Sequence, residues 1–396
     1  MTNQEKNVPE LRFPEFDGEW EEKKLGDIGS VAMNKRIYKN ETTNHGEIPF
    51  YKIGTFGKKA ETFISREKFE EYKEKYPYPN KGDILISASG SIGRTVEYDG
   101  EEAYYQDSNI VWLQHNNEVL NVFLKYFYLI VKWNGIEGTT IKRLYNKNIL
   151  NTKIELPVKE EQQKIGEFFS KLDQQIELEE KKLAKLEEQK KGYVQQIFSQ
   201  ELRFKDENGN DYPTWKKTTI KEVAKLTVGK SKKNENTGKY IIMDMGTVTK
   251  NGTMLTHKST PHENDLLNKG DLVMPKDDIG GGHIIGKTVF IPESQKYVLG
   301  DHVYRLETKK CNGLFLHFYI NSDIVNRSLK RKVTGSAQLG LNRKSVEEEL
   351  VKVPCLEEQE KIGAFFSKLD TFIEKQLSKI ELLKERKKGF LQKMFV

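Results

Sequence analysis

Cysteine is scarce: Cys311 and Cys355 are the only two in 396 residues. Two thiols so placed carry neither a disulfide framework nor a cysteine metal cluster. Long apolar runs are missing as well. The best candidate, residues 119–133, is broken by Asn121, Lys125 and Lys132, short of the ~18 uncharged residues that a membrane-spanning helix needs. The amino-terminal stretch has no apolar signal core. These absences predict a soluble, reduced, cytoplasmic protein with no membrane partner. Seven histidines are scattered, with no HExxH and no paired His/Cys spacing, so no metal site is expected. There is no GxSxG elbow and no Asn/Asp-Pro-Pro-aromatic tetrapeptide. Pro275-Lys276-Asp277-Asp278 has nuclease-like letters without the preceding acidic partner in a strand–turn–strand setting. Gly281-Gly282-His283-Ile284-Ile285-Gly286-Lys287-Thr288 spells a P-loop. A phosphate cradle needs a helix after it, and Val289-Phe290-Ile291-Pro292 reads as a strand. The chain therefore reads as catalytically empty.

What is present is a repeat. Residues 156–199 and 353–396 align without a gap at a shift of 197, with 23 of 44 positions identical. Shorter echoes precede each block. Glu10-Leu11-Arg12-Phe13 returns as Glu201-Leu202-Arg203-Phe204, and Lys81-Gly82-Asp83-Ile84 as Lys269-Gly270-Asp271-Leu272. Ile92-Gly93-Arg94-Thr95-Val96 returns as Ile285-Gly286-Lys287-Thr288-Val289. The period is about half the chain, so the order is globular, helical, globular, helical: 14–155, 156–199, 200–352 and 353–396. Close copies of the helices beside divergent globular parts suggest one structural task done twice and two different targets.

The helical blocks carry heptads. In the first, Ile165, Leu172 and Leu186 alternate with Phe169, Ile176 and Leu183 in an a/d pattern. In the second, Ile362, Leu369 and Leu383 alternate with Phe366, Ile373 and Ile380. Polar exceptions fall at matching places, Glu179/Gln376 and Lys190/Lys387. Such heptads favour two long paired helices. About 38 residues at ~1.5 Å each give ~57 Å. Two equal helices separated by one globular domain most easily pair antiparallel, which would return the carboxyl terminus to the amino terminus in a circular, pseudo-two-fold arrangement. Gln162, Lys164, Phe168 and their copies are candidates for an outer, partner-docking face.

Each globular part shows short strand-like runs before one helix, at 48–53, 83–87, 95–98, 109–113 and 119–131, then at 240–243, 271–274, 288–291, 302–306 and 314–331. That order predicts an α+β fold: two mixed α/β domains on two helical spacers. The net charge of +6 is only mildly basic and hides an asymmetry. Residues 14–155 carry 20 Lys/Arg and 22 Asp/Glu (20 − 22 = −2), and residues 205–352 carry 25 and 18 (25 − 18 = +7). Basic clusters with interleaved aromatic or amide side chains suit phosphate and base edges. In the first part they are Lys35, Arg36, Tyr38 and Lys39, then Lys142, Arg143, Tyr145 and Lys147, with Arg94 on a glycine turn. In the second they are Lys230, Lys232 and Lys233, then Asn342, Arg343 and Lys344, with His283 and Lys287 on the glycine-rich loop. Each cluster can equally be a solvated loop.

These features together resemble the DNA-specificity subunit family of type I restriction–modification systems. The resemblance is carried by Leu156-Pro157 with Glu160-Glu161-Gln162-Gln163-Lys164-Ile165, by Val353-Pro354 with Glu357-Glu358-Gln359-Glu360-Lys361-Ile362, by Lys190-Lys191-Gly192, and by Lys81-Gly82-Asp83-Ile84-Leu85-Ile86-Ser87. Cys355-Leu356 departs from the Pro-Leu usual after Pro354. The resemblance implies two target-recognition domains joined by antiparallel coiled-coil helices, each domain reading one half of a bipartite site on double-stranded DNA. It implies two modification subunits and restriction subunits as partners. Catalysis would lie in those partners, with S-adenosylmethionine, ATP and magnesium bound there and no cofactor in this chain. The competing reading is a helical adaptor or scaffold without base readout.

Overall fold

The computed structural model describes residues 7–133, 135, 142–235, 238–335 and 339–396. The chain divides into two compact units, residues 1–180 with 379–396, and residues 181–378. Each unit takes a segment from both long helices, Lys159–Ser199 and Leu356–Lys393.

In the first unit a four-stranded antiparallel sheet has the order Gly29–Ala32, Ile110–His115, Ile84–Ser87, Thr95–Glu97. Ile84–Ser87 is apolar on both faces and wholly buried, as an interior strand covered on both sides must be. A three-stranded sheet runs Phe63–Ile64, Ile48–Tyr51, Tyr104–Tyr105, its last pair parallel. The charged strand Glu21–Lys24 pairs with Lys153–Leu156, which leads into the first long helix. The second unit repeats this plan. Its four-stranded sheet runs Ala224–Val228, Val303–Thr308, Leu272–Pro275, Val289–Phe290, and its three-stranded sheet Ser259–Thr260, Tyr240–Met243, Tyr297–Leu299. Lys216–Thr219 pairs with Leu350–Val353 ahead of the second long helix.

The repeated glycine punctuation has a conformational cause. Gly82 and Gly270 take φ of +94° and +95° in matching turns, a region where a β-carbon is strained. The following aspartates close those turns: Asp83 accepts from the Asn80 N–H at 2.8 Å, and Asp271 from Asn268 at 2.6 Å.

Both long helices start inside a globular core. Ile165 and Phe169 are buried with Trp20, Phe123, Met394 and Phe395. Ile362 and Phe366 are buried with Phe198, Trp215, Phe315 and Tyr319. Leu172 and Leu369 lean on the same clusters. These heptad positions therefore pack onto globular cores. Complete burial of a phenylalanine contributes roughly 1.5–3 kcal/mol. Ile176, Ile380 and Leu383 are buried, and Leu183, Leu186 and Ile373 half-buried. Three of the four polar heptad exceptions are ion-pair positions. Within the first unit Lys387 pairs with Asp173, and Lys379 with the buried Glu179 at 2.9 Å. Within the second, Lys190 pairs with Asp370. In the first unit the paired numbers rise on one helix as they fall on the other, and in the second Tyr193 meets Phe365 beyond the Lys190–Asp370 pair in the same sense, so the segments run antiparallel.

Two expectations need correction. Gln162 and Gln359 do not face outward: they are 1% and 2% exposed. Gln162 donates to the Pro157 carbonyl at 2.9 Å and accepts from Leu120 N–H at 2.8 Å, and Gln359 does the same with Pro354 and Asn312. Each ties the entry of a long helix to the helix of its globular part. Phe168 packs on Phe13 and Phe390, and Lys164 lies 4.9 Å over the Phe13 ring. The helix expected over 314–331 is two helices, Gly313–Asn321 and Asp323–Arg331. The Ser322 hydroxyl bonds back to the Tyr319 carbonyl at 2.6 Å. The Asn321 side chain leaves the helix to pair with both backbone groups of Thr288. Side chains that bond local backbone compete with helix continuation in this way.

Candidate nucleic-acid interface

Several separately expected features meet at one edge of the first unit. The glycine turn after Ile84–Ser87 carries Ser89, whose hydroxyl donates to Asn109 Oδ1 at 2.6 Å. Ser89 also forms a β-bridge with Arg143, and Leu144 N–H donates to the Ala88 carbonyl at 2.8 Å. The 142–147 segment is thereby laid against the glycine turn, with Lys142, Arg143, Tyr145 and Lys147 exposed. Arg36 joins from another strand end, its Nε 2.8 Å from Asp107. Asp107 stands two residues before Asn109. Tyr38 and Lys39 are exposed, and Lys35 lies 5.0 Å over the Tyr76 ring.

The second unit builds the equivalent edge from different side chains. Leu341 N–H donates to the Lys276 carbonyl at 2.7 Å, and Asp277–Asp278 pairs with Leu339–Gly340. That fixes the 342–344 cluster against the glycine-rich loop. The buried Asp278 carboxylate holds the loop by accepting from Gly280 N–H at 2.6 Å and Ile284 N–H at 2.9 Å. Ile279 at its tip is 70% exposed. Lys230 and Lys233 are exposed, and Arg343 and Lys344 project from the short helix Arg343–Glu347. His283 is exposed on the loop. An open cleft of about 360 Å³ beside this edge is lined by Lys232, Lys258, Asp244, Asp301 and His302, among others.

Three expected contact residues face elsewhere, and a fourth is engaged in capping its own helix. Lys287 is turned inward and donates to the Asn321 carbonyl at 2.9 Å; burial, and then Lys330, hold its pKa below the usual lysine value. Strand Val289–Phe290 follows it, so the P-loop letters spell a loop that closes on its own protein. Arg94 is half-buried, bonded to the Ile53 carbonyl at 2.9 Å and 5.3 Å over the Phe56 ring. Lys232 is tied to Asp265 at 2.6 Å with its side chain 9% exposed. Asn342 uses its amide oxygen to cap the short helix, accepting from Ser345 N–H at 2.8 Å, as N-cap asparagines do. Sequence reasoning missed Ser89, Asn109, Asp277 and His302. Asp277 was visible as a charged letter, but its histidine partner lies 25 positions away.

The model of the type I restriction modification DNA specificity domain matches this chain twice, over residues 17–188 and 212–382. The chain belongs to this family. A putative type I restriction enzyme specificity subunit of Haemophilus influenzae is 58% identical over 150 residues, 38% of this chain and 39% of that protein. The family member described here thus spans about two fifths of that relative's length in the match. A second relative, the MjaVIII type I restriction enzyme specificity subunit of Methanocaldococcus jannaschii, is 25% identical over 97% of this chain and 93% of its own. Among solved structures, the type I system S subunit of M. genitalium superposes with a TM-score of 0.63 at 17% identity, covering 98% of this chain and 99% of that one. Its likeness shows a shared fold. No helix among the described residues is long and apolar enough to cross a membrane.

Proposed function

We propose that this chain is the DNA-reading specificity subunit of a type I restriction–modification complex, each unit reading one half of a bipartite, asymmetric site. The observation that carries this is the recurrence of one edge in both units, with the same backbone pairing and different polar side chains. A common frame with exchanged contact groups is what two readers of unlike sequences need. The chain itself carries no chemistry. Two modification subunits and the restriction subunits supply it, with S-adenosylmethionine, ATP and magnesium bound there, in the cytoplasm. The long helices form an antiparallel coiled coil in a pseudo-two-fold arrangement and set the spacer between half-sites. Their exposed Leu178, Leu382, Phe372 and Leu377 offer apolar footing for partner subunits.

Methylation sequencing of the host with and without this gene tests the reading. A bipartite methylated motif should vanish with the gene; an identical methylome contradicts the proposal. The spacer role is tested by inserting one heptad, ~10.5 Å, in both helices. The unspecified spacer should lengthen by about three base pairs at ~3.4 Å each, and an unchanged spacer contradicts it.

A further inference from the structure

We infer that His302 reads a base edge in the half-site of the second unit, with Asp277 as its positioning residue. The inference rests on the DNA-reading function proposed above and names a contact within it.

His302 has φ of +58°, a left-handed conformation in which a β-carbon is strained and glycine is at ease. Non-glycine residues held there cluster at functional sites. The ring is oriented as well. Its Nδ1 lies 2.7 Å from Asp277 Oδ2. Asp277 is ionised: against the burial that raises it, His302 and Lys276 hold its carboxyl below the usual range. An ionised carboxylate only accepts, so Nδ1 carries the proton. The nitrogen turned away from Asp277 is Nε2, which lies 3.6 Å from Asp301 Oδ2 on the cleft side. The His302 side chain is 46% exposed at the open cleft that Lys232 and Lys258 also line. An imidazole held in one orientation at a half-exposed edge suits the hydrogen-bonding edge of a base.

The first unit supplies the control. Its Ala88 N–H donates to the Asn109 carbonyl at 2.8 Å, as Lys276 N–H does to the His302 carbonyl at 3.0 Å. Asn109 therefore occupies the place of His302, and Ser89 that of Asp277. The frame is kept and the reading pair is changed, from Ser89–Asn109 to Asp277–His302.

The test uses the full chain assembled with its modification subunits, and methylation rates on duplexes in which each motif position is varied singly. His302→Gly fits the backbone, so the complex should keep its thermal midpoint. Discrimination should fall about tenfold at one position of the second half-site and stay unchanged in the first. Asp277→Ala should lose the same discrimination, whereas Asp277→Asn, which keeps an acceptor for Nδ1–H, should restore most of it. Wild-type discrimination at every position in His302→Gly would overturn the assignment. Absence of any motif with the unsubstituted chain would instead overturn the underlying DNA-reading proposal.

Discussion

In the first unit the buried carboxylate of Glu161 accepts two bonds from Arg12, at 2.7 Å each. In the second, Glu358 accepts two from Arg203 and a third from the Trp215 indole at 3.1 Å. The matching indole of Trp20 is buried with no hydrogen-bond partner among the described residues. The frame thus repeats almost bond for bond, with small local losses. The edges repeat in backbone only. Beside the three-stranded sheet the first unit has a cleft of about 210 Å³ rimmed by Glu97, Asp99, Glu101 and Glu102; the cleft in the second unit is lined by Lys232, Lys258 and His302 besides its acids. Packing constrains what lies under the helix entries, and the edges are free to diverge.

The largest expected difference lies in the buried carboxylates. Glu358→Ala strands a guanidinium and an indole N–H and should cost about 3 kcal/mol or more. Glu161→Ala should cost ~1 kcal/mol less, because no indole is stranded. Urea unfolding of the two variants measures this, and equal losses would break the comparison.

Acid should separate the units next. His317 is fully enclosed beside Thr288; burial, then Lys190 and Lys287, push its pKa down to about 3. Its folded value lies below its unfolded one, so its contribution is complete above about pH 6.5 and is lost as pH falls toward 3. The slope is about 1.4 kcal/mol per pH unit. The first unit has the exposed Lys125–Glu97 pair on its corresponding helix. Thermal melts between pH 7 and 4 should show an acid loss that His317→Gln removes.

The smallest effect concerns the interhelical ion pairs. Asp173 accepts from Tyr126 as well, at 2.9 Å, whereas the ring beneath Lys190 is Phe318 and has no hydroxyl. Asp173→Ala should therefore cost ~1 kcal/mol more than Asp370→Ala, and the partly exposed ion pairs themselves ~1 kcal/mol or less. Matched chemical denaturation resolves the two.

Much of the frame was legible because its signals are periodic or local. The heptads, the Lys-Gly-Asp turns and the apolar runs at 84–87 and 272–275 each declare themselves within a few residues. Helix Arg66–Lys75 was missed: it buries only Phe69 and has no apolar stripe. Strand Glu21–Lys24 was missed because its four charged residues become a strand only by pairing with Lys153–Leu156. The edge was half legible. Basic clusters mark Arg143 and Lys344, but composition cannot say that Lys287 and Arg94 turn inward, or that Asp277 meets His302. Those outcomes depend on which loops the sheets bring together.

The central claim is that each unit reads its own half-site on a common frame. Its most direct test replaces residues 14–155 with the corresponding domain of another family member and sequences the methylome. The account predicts a motif changed in one half-site with the other intact. A change in both, or in neither while methylation persists, would contradict it.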